Sequence, residues 1–307
     1  MHFMRLLITG ASGLLGLNFS LAEMGTHTIV GVDRSKLANT PFELIKADLL
    51  DPEVEHRILD TVKPDAVIHT AANATVDSCE MDPVGARLLN AELPGELADA
   101  CARRGIRMIH LSTDAVFDGT KQDAYTEADG ANPLGVYAQT KWEGERAVQS
   151  AHPQAIVARV NFFGWSLSGR RSLGEFFVNN LSEGKNVNGF TDVIFCPMWV
   201  NHLAQTLIEM LEKDLHGLYH VVGAQAMSKY QFGVEVARRF GLRESLIAPQ
   251  SVEMSSLTAK RSHNLRLSVH KLSTDLGHEI PAFSTGLDGF YTQFQQGYPQ
   301  KIRGYQQ

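Results

Sequence analysis

Cysteine is scarce in this sequence, which has three cysteines among its 307 residues. Cys79, Cys101 and Cys196 are odd in number and scattered, so they predict neither a disulfide framework nor a structural zinc site. The twelve histidines are spread along the chain, and we expect no bound metal. Unpaired cysteines are typical of a reducing compartment, so we expect the protein to be cytoplasmic.

Long apolar runs and an excess of basic residues are also missing. No stretch approaches the roughly 20 apolar residues that cross a bilayer as a helix, and the formal net charge is −6. We therefore expect neither a membrane nor a nucleic acid as a partner. A strand-like run begins close to the first residue, which argues against a cleaved signal peptide.

The order of strand-like and helix-like segments indicates an α/β protein. Hydrophobic residues make up 44 % of the chain and charged residues 20 %, as in ordinary globular proteins. The alternation predicts a Rossmann-type, doubly wound parallel sheet. The strand-like runs are Arg5–Ile8, His27–Val32, Leu44–Lys46, Ala66–His69, Met108–Leu111 and Ala155–Arg159. The helical stretches between them are Gly13–Met24, Pro52–Val62, Val84–Arg104 and Tyr137–Ser150.

The pattern changes after Gly164, where loop-rich segments alternate with helices predicted at Trp199–Glu212 and Lys229–Phe240. We expect residues 1–163 to form a nucleotide-binding domain. Residues 164–307 would then form a smaller, mainly substrate-binding lobe that is interleaved with it. Ligands of a parallel sheet bind at the carboxyl ends of its strands, so we expect the site there.

Three glycines spaced by three residues, Gly10, Gly13 and Gly16, follow the first predicted strand. One permits the tight reversal from strand to helix, another lets the backbone approach a pyrophosphate, and the third lets helix and strand pack closely. Amide groups at the start of the next helix would face the phosphates. The turn predicts a dinucleotide site, although its G-x-x-G-x-x-G spacing differs from the G-x-G-x-x-G of ordinary dehydrogenases.

The second predicted strand is followed by an acidic residue, Asp33. A carboxylate at this place accepts hydrogen bonds from the ribose hydroxyls of NAD(H) and repels the 2′-phosphate of NADP(H). Arg34 and Lys36 come soon afterwards and offer positive charge to that phosphate. We therefore expect NAD(H) as the favoured cofactor and keep NADP(H) as the alternative.

Tyr137 and Lys141 lie four residues apart in a predicted helix, so their side chains share one helix face. A tyrosine with an ordinary pKa of about 10 is a poor proton donor or acceptor at neutral pH. A neighbouring ammonium favours the phenolate, so we expect Lys141 to lower the pKa of Tyr137. The pair alone is common on structural helices, but together with the glycine turn it predicts an active site.

The glycine turn, Thr113, Tyr137 and Lys141 together resemble the extended short-chain dehydrogenase/reductase family. The resemblance covers nearly the whole chain, and within that family it points to the dTDP-4-dehydrorhamnose reductases and their relatives. Its most selective segments read LSTDAVFDG, from residue 111, and PLGVYAQTKWEGE, from residue 133. Members reduce a 4-keto sugar on a nucleoside diphosphate by hydride transfer from a nicotinamide cofactor. The resemblance implies the same activity and a nucleotide-sugar substrate for this chain.

The resemblance implies catalytic roles for three residues. Thr113 would hydrogen-bond the substrate carbonyl, Tyr137 would deliver the proton, and Lys141 would hold the nicotinamide ribose while lowering the tyrosine pKa. The structural alternatives are a turn cap for Thr113 and a solvated helix lysine for Lys141.

The resemblance also implies binding residues around this centre. Those expected at the cofactor are Gly10, Ser12, Gly13, Leu14, Leu15, Asp33, Arg34, Asp48, Leu49, Ala71, Ala72, Tyr137 and Lys141. Those expected at the substrate are Thr75, Asp114, Asn161 and Phe162. Asp48 has a second interpretation as a helix cap. A homodimer formed through helices that flank the active-site helix is common among relatives and is a candidate assembly.

Three positions depart from the pattern of the reductases. Ala74 and Met198 lie where threonine is usual, and Phe162 replaces a tryptophan. We expect all three on the sugar side of the site, which leaves the identity of the sugar open. The pair Arg170–Arg171 is a candidate diphosphate clamp or a solvated surface pair. The basic residues near Asn264, in the segment that reads KRSHNLRL from residue 260, suit a pyrophosphate or a salt bridge that closes the lobe.

Two other functions are possible on this scaffold. One is a sugar-nucleotide epimerase. The other is a non-catalytic subunit resembling the regulatory subunit of methionine adenosyltransferase, which retention of Thr113, Tyr137 and Lys141 disfavours. The family's dehydratases carry an Asp-Glu pair where this chain has Asp114–Ala115, so dehydration is also disfavoured.

Overall fold

A parallel sheet of seven strands forms the centre of the computed structural model, which describes residues 3–35, 37–255 and 262–306. The central sheet has the order β11-β6-β5-β4-β1-β2-β3, and all of its neighbouring pairs are parallel. The other strands form short pairs, β7 with β10, β8 with β13 and β9 with β12. In chain order the strands are β1 (Arg5–Thr9), β2 (Thr28–Asp33), β3 (Glu43–Lys46), β4 (Ala66–His69), β5 (Arg107–Thr113), β6 (Ile156–Val160), β7 (Phe162–Phe163), β8 (Val187–Phe190), β9 (Ile194–Phe195), β10 (Met198–Trp199), β11 (Gly217–Val221), β12 (Met227–Ser228) and β13 (Ile247–Gln250).

Helices cover both faces of this sheet. In chain order they are α1 (Leu14–Glu23), α2 (Val54–Val62), α3 (Val76–Met81), α4 (Pro83–Arg87), α5 (Leu93–Ala102), α6 (Val136–Ala151), α7 (Leu173–Ser182), α8 (Val200–Glu212), α9 (Lys229–Phe240), α10 (His270–Leu276), α11 (Phe283–Gln295) and α12 (Tyr298–Arg303). Alternate residues of β1 point to opposite faces. Leu6 and Ile8 pack in the apolar cluster that contains α1 and α8, whereas Leu7 packs with α2, α5 and α6. The predicted doubly wound, Rossmann-type sheet is confirmed.

The strands and helices predicted in the first half agree with the structure to within two residues at their ends, with one exception. The stretch predicted over Val84–Arg104 is helical without a break from Pro83 to Ala102, but it is not α-helical throughout. Helix α4 ends at Arg87, the segment Leu88–Glu92 forms a π-helical turn, and α5 then begins. Pro94 has no amide hydrogen to donate to the carbonyl four residues earlier, which favours a wider turn at this point.

Helix α7 and strand β11 have no counterpart in the predicted pattern. Helix α7 begins at a capping box, in which the Ser172 hydroxyl accepts from the Glu175 amide and the Glu175 carboxylate accepts from the Ser172 amide. Strand β11 lies beside β6 and completes the central sheet. One strand of the C-terminal segment therefore belongs to the central sheet. The division into residues 1–163 and 164–307 stays a prediction.

The structure describes neither a metal cluster nor a bilayer-spanning helix. His216 and His220 are four residues apart, a spacing that would place two metal ligands on one face of a helix. His216 directly precedes the extended strand β11 and His220 lies in that strand, so the two imidazoles do not share a helix face. Among the described residues, no group of three or more His, Cys, Asp and Glu side chains is placed to hold a metal ion. No helix within the described ranges combines the length and the apolar character that a bilayer crossing requires.

Glycine determines how closely α1 approaches the end of β1. Gly10 follows β1 with a φ of +68°, a conformation that residues with a Cβ rarely adopt. Helix α1 then passes so near that a Cβ on Gly16 would lie 2.3 Å from the Gly10 carbonyl oxygen. The tight turn and the close packing that the glycine spacing predicts are both present.

Replacing Gly16 with alanine should destabilise the protein. The Gly10 carbonyl oxygen belongs to the backbone, so it cannot move away from the new Cβ unless the whole turn moves. We expect the free energy of unfolding to fall by about 1–3 kcal/mol, the usual cost of overpacking, as measured by denaturant titration. Gly25→Ala is the matched control, since a Cβ at Gly25 has no heavy atom within 4 Å. Equal stability of the two variants would contradict the close approach of α1.

Candidate active site

The carboxyl ends of the central strands bring the predicted site residues to one edge of the sheet. Asp33 and Thr113 are the last residues of β2 and β5, and Asn161 directly follows β6. Because neighbouring strands are parallel, their carboxyl ends lie on the same side of the molecule. The strand order reverses direction between β1 and β4, and a ligand crevice forms at such a point.

A cavity of about 480 Å³ lies along this edge. Three of the four residues expected at the substrate, Asp114, Asn161 and Phe162, line it. Thr75, the fourth, is not among the lining residues; it is exposed and immediately precedes α3. The roles of all these residues stay predictions. The lining also contains every residue expected at the cofactor, namely Gly10, Ser12, Gly13, Leu14, Leu15, Asp33, Arg34, Asp48, Leu49, Ala71, Ala72, Tyr137 and Lys141.

The glycine-turn end of this cavity suits a pyrophosphate. Gly13 is the N-cap of α1, no side chain caps the helix there, and its first turn carries no acidic residue. The amide groups of the first turn and the positive end of the helix dipole therefore have no competing carboxylate from their own helix. These features fit a dinucleotide, whose phosphates would accept hydrogen bonds from the helix start.

Asp33 lies beside the glycine turn and lines the same cavity. One of its carboxylate oxygens accepts hydrogen bonds from the Ser12 amide at 2.9 Å and the Ser12 hydroxyl at 2.8 Å. The other oxygen accepts from the Ser35 amide at 2.8 Å. Asp33 therefore links the end of β2 to the glycine turn and leaves a negative charge beside the cavity.

Charged residues of both signs flank Asp33. The Arg34 guanidinium is 66 % exposed, and its Nη1 lies 3.8 Å from an Asp48 carboxylate oxygen. The other Asp48 oxygen accepts a hydrogen bond from the Leu50 amide at 3.0 Å, so Asp48 stabilises a turn and also lines the cavity. Lys36, the second basic residue considered for a 2′-phosphate, lies outside the described residues.

Helix α6 carries Tyr137 and Lys141 into the same cavity. The helix start is held by Glu80 of α3, whose carboxylate accepts a hydrogen bond from the Val136 amide at 2.8 Å. Thr113, at the end of β5, hydrogen-bonds the Tyr137 side chain. Two elements that are far apart in the sequence therefore place the tyrosine and the threonine together.

The expectation that Lys141 lowers the pKa of Tyr137 is wrong for this structure. Burial is the largest influence and raises the pKa of Tyr137 to about 12, against a smaller lowering by the hydrogen bond with Thr113. The negative charge of Asp114 raises it further. Tyr137 therefore keeps its proton at neutral pH, and this is the form that donates to a carbonyl oxygen.

Lys141 is only 3 % exposed, which excludes a solvated helix lysine. Burial lowers the pKa of Lys141 to about 8, while the Glu145 carboxylate one turn later raises it. Glu145 is held by Arg159 of β6 through two hydrogen bonds, at 2.8 and 2.7 Å. The Lys141 Nζ also lies 3.4 Å from the Nε2 of His110 on β5.

A second cavity, of about 210 Å³, meets the larger one at the residues predicted to be catalytic. Thr113, Asp114, Tyr137 and Asn161 line both cavities. The smaller cavity extends from there to Lys229 at the start of α9. A molecule in the larger cavity and a molecule in the smaller one would therefore meet at Thr113 and Tyr137.

Asp114 is the buried acidic group of the smaller cavity. Its carboxylate accepts hydrogen bonds from the Asn161 side-chain amide at 2.6 Å and from the Thr113 hydroxyl at 3.2 Å. Burial raises the pKa of Asp114 to about 6, opposed by these hydrogen bonds and by the positive charge of Lys229. The cavity therefore offers a carboxylate and an ammonium to polar groups of a substrate.

The three departures from the reductase pattern have different positions. Ala74 and Phe162 line the larger cavity. Met198 does not: it is 2 % exposed and packs in the main apolar core, so the expectation that it lies on the sugar side is wrong. Its strand β10 pairs with β7, where Met198 is in register with Phe162. Met198 therefore affects the site indirectly, through the pairing of β10 with β7.

The structure describes the two groups of basic residues only in part. Arg170 and Arg171 are both exposed, but only Arg171 lines the larger cavity, which favours its interpretation as an anion ligand. Lys260 and Arg261 lie outside the described residues, and Arg266 is exposed and lines neither cavity.

Sequence reasoning gave no role to several residues that position the site. Glu80 and Lys229 reach it through tertiary contacts, which short-range sequence patterns do not reveal. Asn90, in the π-helical turn, accepts a hydrogen bond from the Asn73 amide at 2.8 Å and donates one to the Thr140 hydroxyl at 3.2 Å. It thereby ties the loop after β4 to helix α6.

Comparison with known proteins shows relatives along nearly the whole chain. The family model described as the RmlD substrate binding domain matches residues 4–296. The probable low-salt glycan biosynthesis reductase Agl14 of Haloferax volcanii is 32 % identical over 94 % of this chain and 97 % of its own length. A dTDP-4-dehydrorhamnose reductase of Aggregatibacter actinomycetemcomitans is 32 % identical over 76 % and 78 %. The methionine adenosyltransferase 2 subunit beta of Mus musculus is 32 % identical over 92 % and 86 %.

Solved structures share the fold. The crystal structure of dTDP-4-dehydrorhamnose reductase from Bacillus anthracis in complex with NADP superposes with a TM-score of 0.86 at 23 % identity, over 95 % of this chain and 100 % of that one. The dTDP-glucose 4,6-dehydratase DesIV from Streptomyces venezuelae, with NAD bound, superposes with a TM-score of 0.80 at 20 % identity, over 97 % and 100 %. These likenesses concern the fold, and the sequence match decides the family. The chain belongs to the RmlD substrate-binding domain family, a branch of the extended short-chain dehydrogenases/reductases.

Proposed function

We propose that this protein reduces the 4-keto group of a nucleotide-activated deoxysugar with a hydride from NAD(P)H. The observation that carries the proposal is the meeting of two cavities at Thr113 and Tyr137. One cavity has the features of a dinucleotide site, and the other presents Asp114 and Lys229 to a polar substrate. The relatives named as reductases support the same reaction class.

In the proposed mechanism, Thr113 and Tyr137 bind the carbonyl oxygen of the sugar. When bound in the larger cavity, a reduced nicotinamide would supply the hydride that reduces the carbonyl carbon. The Tyr137 hydroxyl donates its proton to the oxygen, and its high pKa means that the donor is fully protonated at neutral pH. Lys141, buried beside it, donates hydrogen bonds to the ribose of the cofactor.

Asp114, Asn161 and Phe162 are proposed substrate residues, and residues 164–307 are proposed to supply most of the substrate lobe. Lys229 supports this division, since it comes from that segment and lines the smaller cavity. Thr75 keeps its proposed substrate role only if a bound sugar extends beyond the cavities. The cytoplasmic location, the homodimer and the absence of nucleic-acid and membrane partners remain predictions.

Two alternatives share the scaffold. The relatives include a regulatory subunit, but a non-catalytic subunit would not require a protonated Tyr137 that lines a cavity. An epimerase would recycle its dinucleotide and show no net oxidation of NAD(P)H. Ala115, which lines the smaller cavity, provides no carboxylate for dehydration.

Tyr137→Phe should abolish reduction while leaving the fold and dinucleotide binding intact. The variant removes one hydroxyl that donates the proton, so we expect kcat to fall about 10²–10⁴-fold. Turnover is followed by loss of NAD(P)H absorbance with a panel of 4-keto nucleotide sugars, and binding by NAD(P)H fluorescence.

Tyr125→Phe is a useful control for Tyr137→Phe, because Tyr125 is buried in a separate apolar cluster. It should keep the wild-type kcat. Full activity of Tyr137→Phe, or a wild-type protein that binds dinucleotide but turns over none of the sugars, would contradict the proposed reaction.

We propose NAD(H) as the favoured cofactor, with NADP(H) as the alternative. The negative charge of Asp33 beside the cavity supports this choice, and Arg34 already lies near the Asp48 carboxylate. Proteins of this fold have been solved with either dinucleotide.

Asp33→Ala should weaken binding of NADH more than binding of NADPH, because the carboxylate accepts from the adenosine ribose hydroxyls and repels a 2′-phosphate. Asp33→Asn is the matched variant: it keeps an oxygen for the Ser12 contacts but loses the charge, so it should improve NADPH binding. Dissociation constants for NADH and NADPH, measured by fluorescence titration, test both expectations. A large wild-type preference for NADPH, or equal losses for both cofactors in both variants, would remove Asp33 from this role.

Ala74→Thr should change the preference between sugars without slowing the chemical step. Ala74 lines the larger cavity and has no proposed part in proton transfer, so its substitution should alter ground-state contacts and shift KM between two substrates at constant kcat. Thr75→Ala tests the neighbouring assignment, since a substrate contact at Thr75 would raise KM in this variant. A collapse of kcat with unchanged preference would show that this loop is structural.

A further inference from the structure

A row of buried polar residues crosses the centre of the sheet below the active site. Thr9 of β1, His69 of β4 and His110 of β5 are paired in register across the three adjacent strands. Each is at most 1 % exposed. Residues in register point to the same face of a sheet, here the face covered by α5 and α6.

Short contacts connect this row to Lys141. The Thr9 hydroxyl and the His69 Nδ1 are 2.8 Å apart, and the imidazoles of His69 and His110 stack with their centroids 5.4 Å apart. The His110 Nε2 then lies 3.4 Å from the Lys141 Nζ. The order of contacts is therefore Thr9, His69, His110 and Lys141.

The geometry determines the tautomer of His110. An ammonium can only donate, so the Nε2 of His110 accepts and the proton of the neutral ring is on Nδ1. That Nδ1 is buried and has no hydrogen-bond partner among the described residues. An unpaired buried donor is costly. An apolar side chain at this position would remove that cost, but it would also remove the acceptor that Lys141 faces.

We propose that His110 is a positioning residue that holds the Lys141 ammonium in place for the nicotinamide ribose. This inference rests on the proposed function, in which Lys141 contacts the cofactor. His69 fixes the His110 ring by stacking, and Thr9 fixes His69 by a hydrogen bond. The row of core residues therefore supports the Lys141 side chain, which the active site uses to bind the cofactor.

The row does not serve as a route for protons from solvent. It ends at Thr9, which is completely buried, and its hydroxyl lies 3.4 Å from the Ala71 amide in the cavity wall. Burial and the charge of Lys141 also hold the pKa of both histidines far below neutral, so neither ring carries a second proton at pH 7.

The charged and titratable groups around Lys141 come from four elements. Glu145 lies on its own helix α6 and is paired with Arg159 of β6. His110 and His69 face it from β5 and β4, and both are neutral. Glu145 favours the ammonium, burial opposes it, and the His110 acceptor adds a hydrogen bond that is stronger from the ammonium than from the neutral amine.

Two variants of His110 differ by one methylene and separate positioning from packing. The amide oxygen of His110→Gln can reach the place of Nε2, whereas the shorter side chain of His110→Asn reaches only the place of Nδ1. His69→Asn is the graded comparison: it removes the stacking on His110 but keeps a polar atom for Thr9 and leaves the His110 acceptor that faces the Lys141 Nζ. All four proteins are compared after their thermal melting curves confirm folding.

The readout is the pH dependence of the dissociation constant for NADH, measured by fluorescence without any sugar. In the wild type the constant should rise as pH passes the Lys141 pKa of about 8. Loss of a hydrogen bond to a charged group lowers that pKa by about one to two units. The rise should therefore begin about one to two pH units lower in His110→Asn. It should begin at the wild-type pH in His110→Gln, and the shift in His69→Asn should be smaller than that in His110→Asn, because only the stacking is lost.

A wild-type profile for His110→Asn would overturn the proposal, as would an equal shift in His69→Asn. A merely structural role would lower the melting temperature and weaken binding equally at every pH, which would also overturn it. Because the measurement needs no substrate, it gives a result whether or not the protein reduces a 4-keto sugar. Failure of the reductase assay and failure of this inference are therefore distinguishable.

Discussion

Parallel pairing of the central strands is the constraint from which the rest of the site follows. Because β1 pairs in parallel with both β2 and β4, and β5 with β4 and β6, every strand ends at the same edge of the sheet. Thr113 reaches Tyr137 across that edge, although the two residues lie in different elements. The close approach of α1 at Gly16 keeps the first helix beside the same edge. The two cavities meet where these ends converge.

Burial determines the protonation states that the chemistry requires. It raises the pKa of Tyr137 to about 12 and of Asp114 to about 6, and it lowers the pKa of Lys141 to about 8. At neutral pH the tyrosine is therefore an acid and the lysine is mainly an ammonium. This combination suits reduction, which needs a proton donor. Oxidation by the same residues would need the phenolate, which this environment disfavours.

Local sequence patterns predicted the fold and most of the residues that line the larger cavity, because strand alternation, the glycine turn and the Tyr137–Lys141 spacing are short-range signals. Long-range packing accounts for what they did not predict. Strand β11 joins the sheet next to β6, Met198 lies in the core, and the pKa of Tyr137 rises because three-dimensional burial outweighs a nearby lysine. His110 has an ordinary strand position in the sequence. Only register with His69 and contact with Lys141 give it a role.

The central claim is that a hydride passes from the nicotinamide to carbon 4 of a sugar with net consumption of the cofactor. Reduced dinucleotide deuterated at the transferred position, incubated with a 4-keto nucleotide sugar, tests it directly by NMR of the product. The account predicts deuterium at carbon 4 of the sugar, with one oxidised dinucleotide formed for each product molecule. Deuterium at another carbon, or an altered sugar without net oxidation of the dinucleotide, would contradict it.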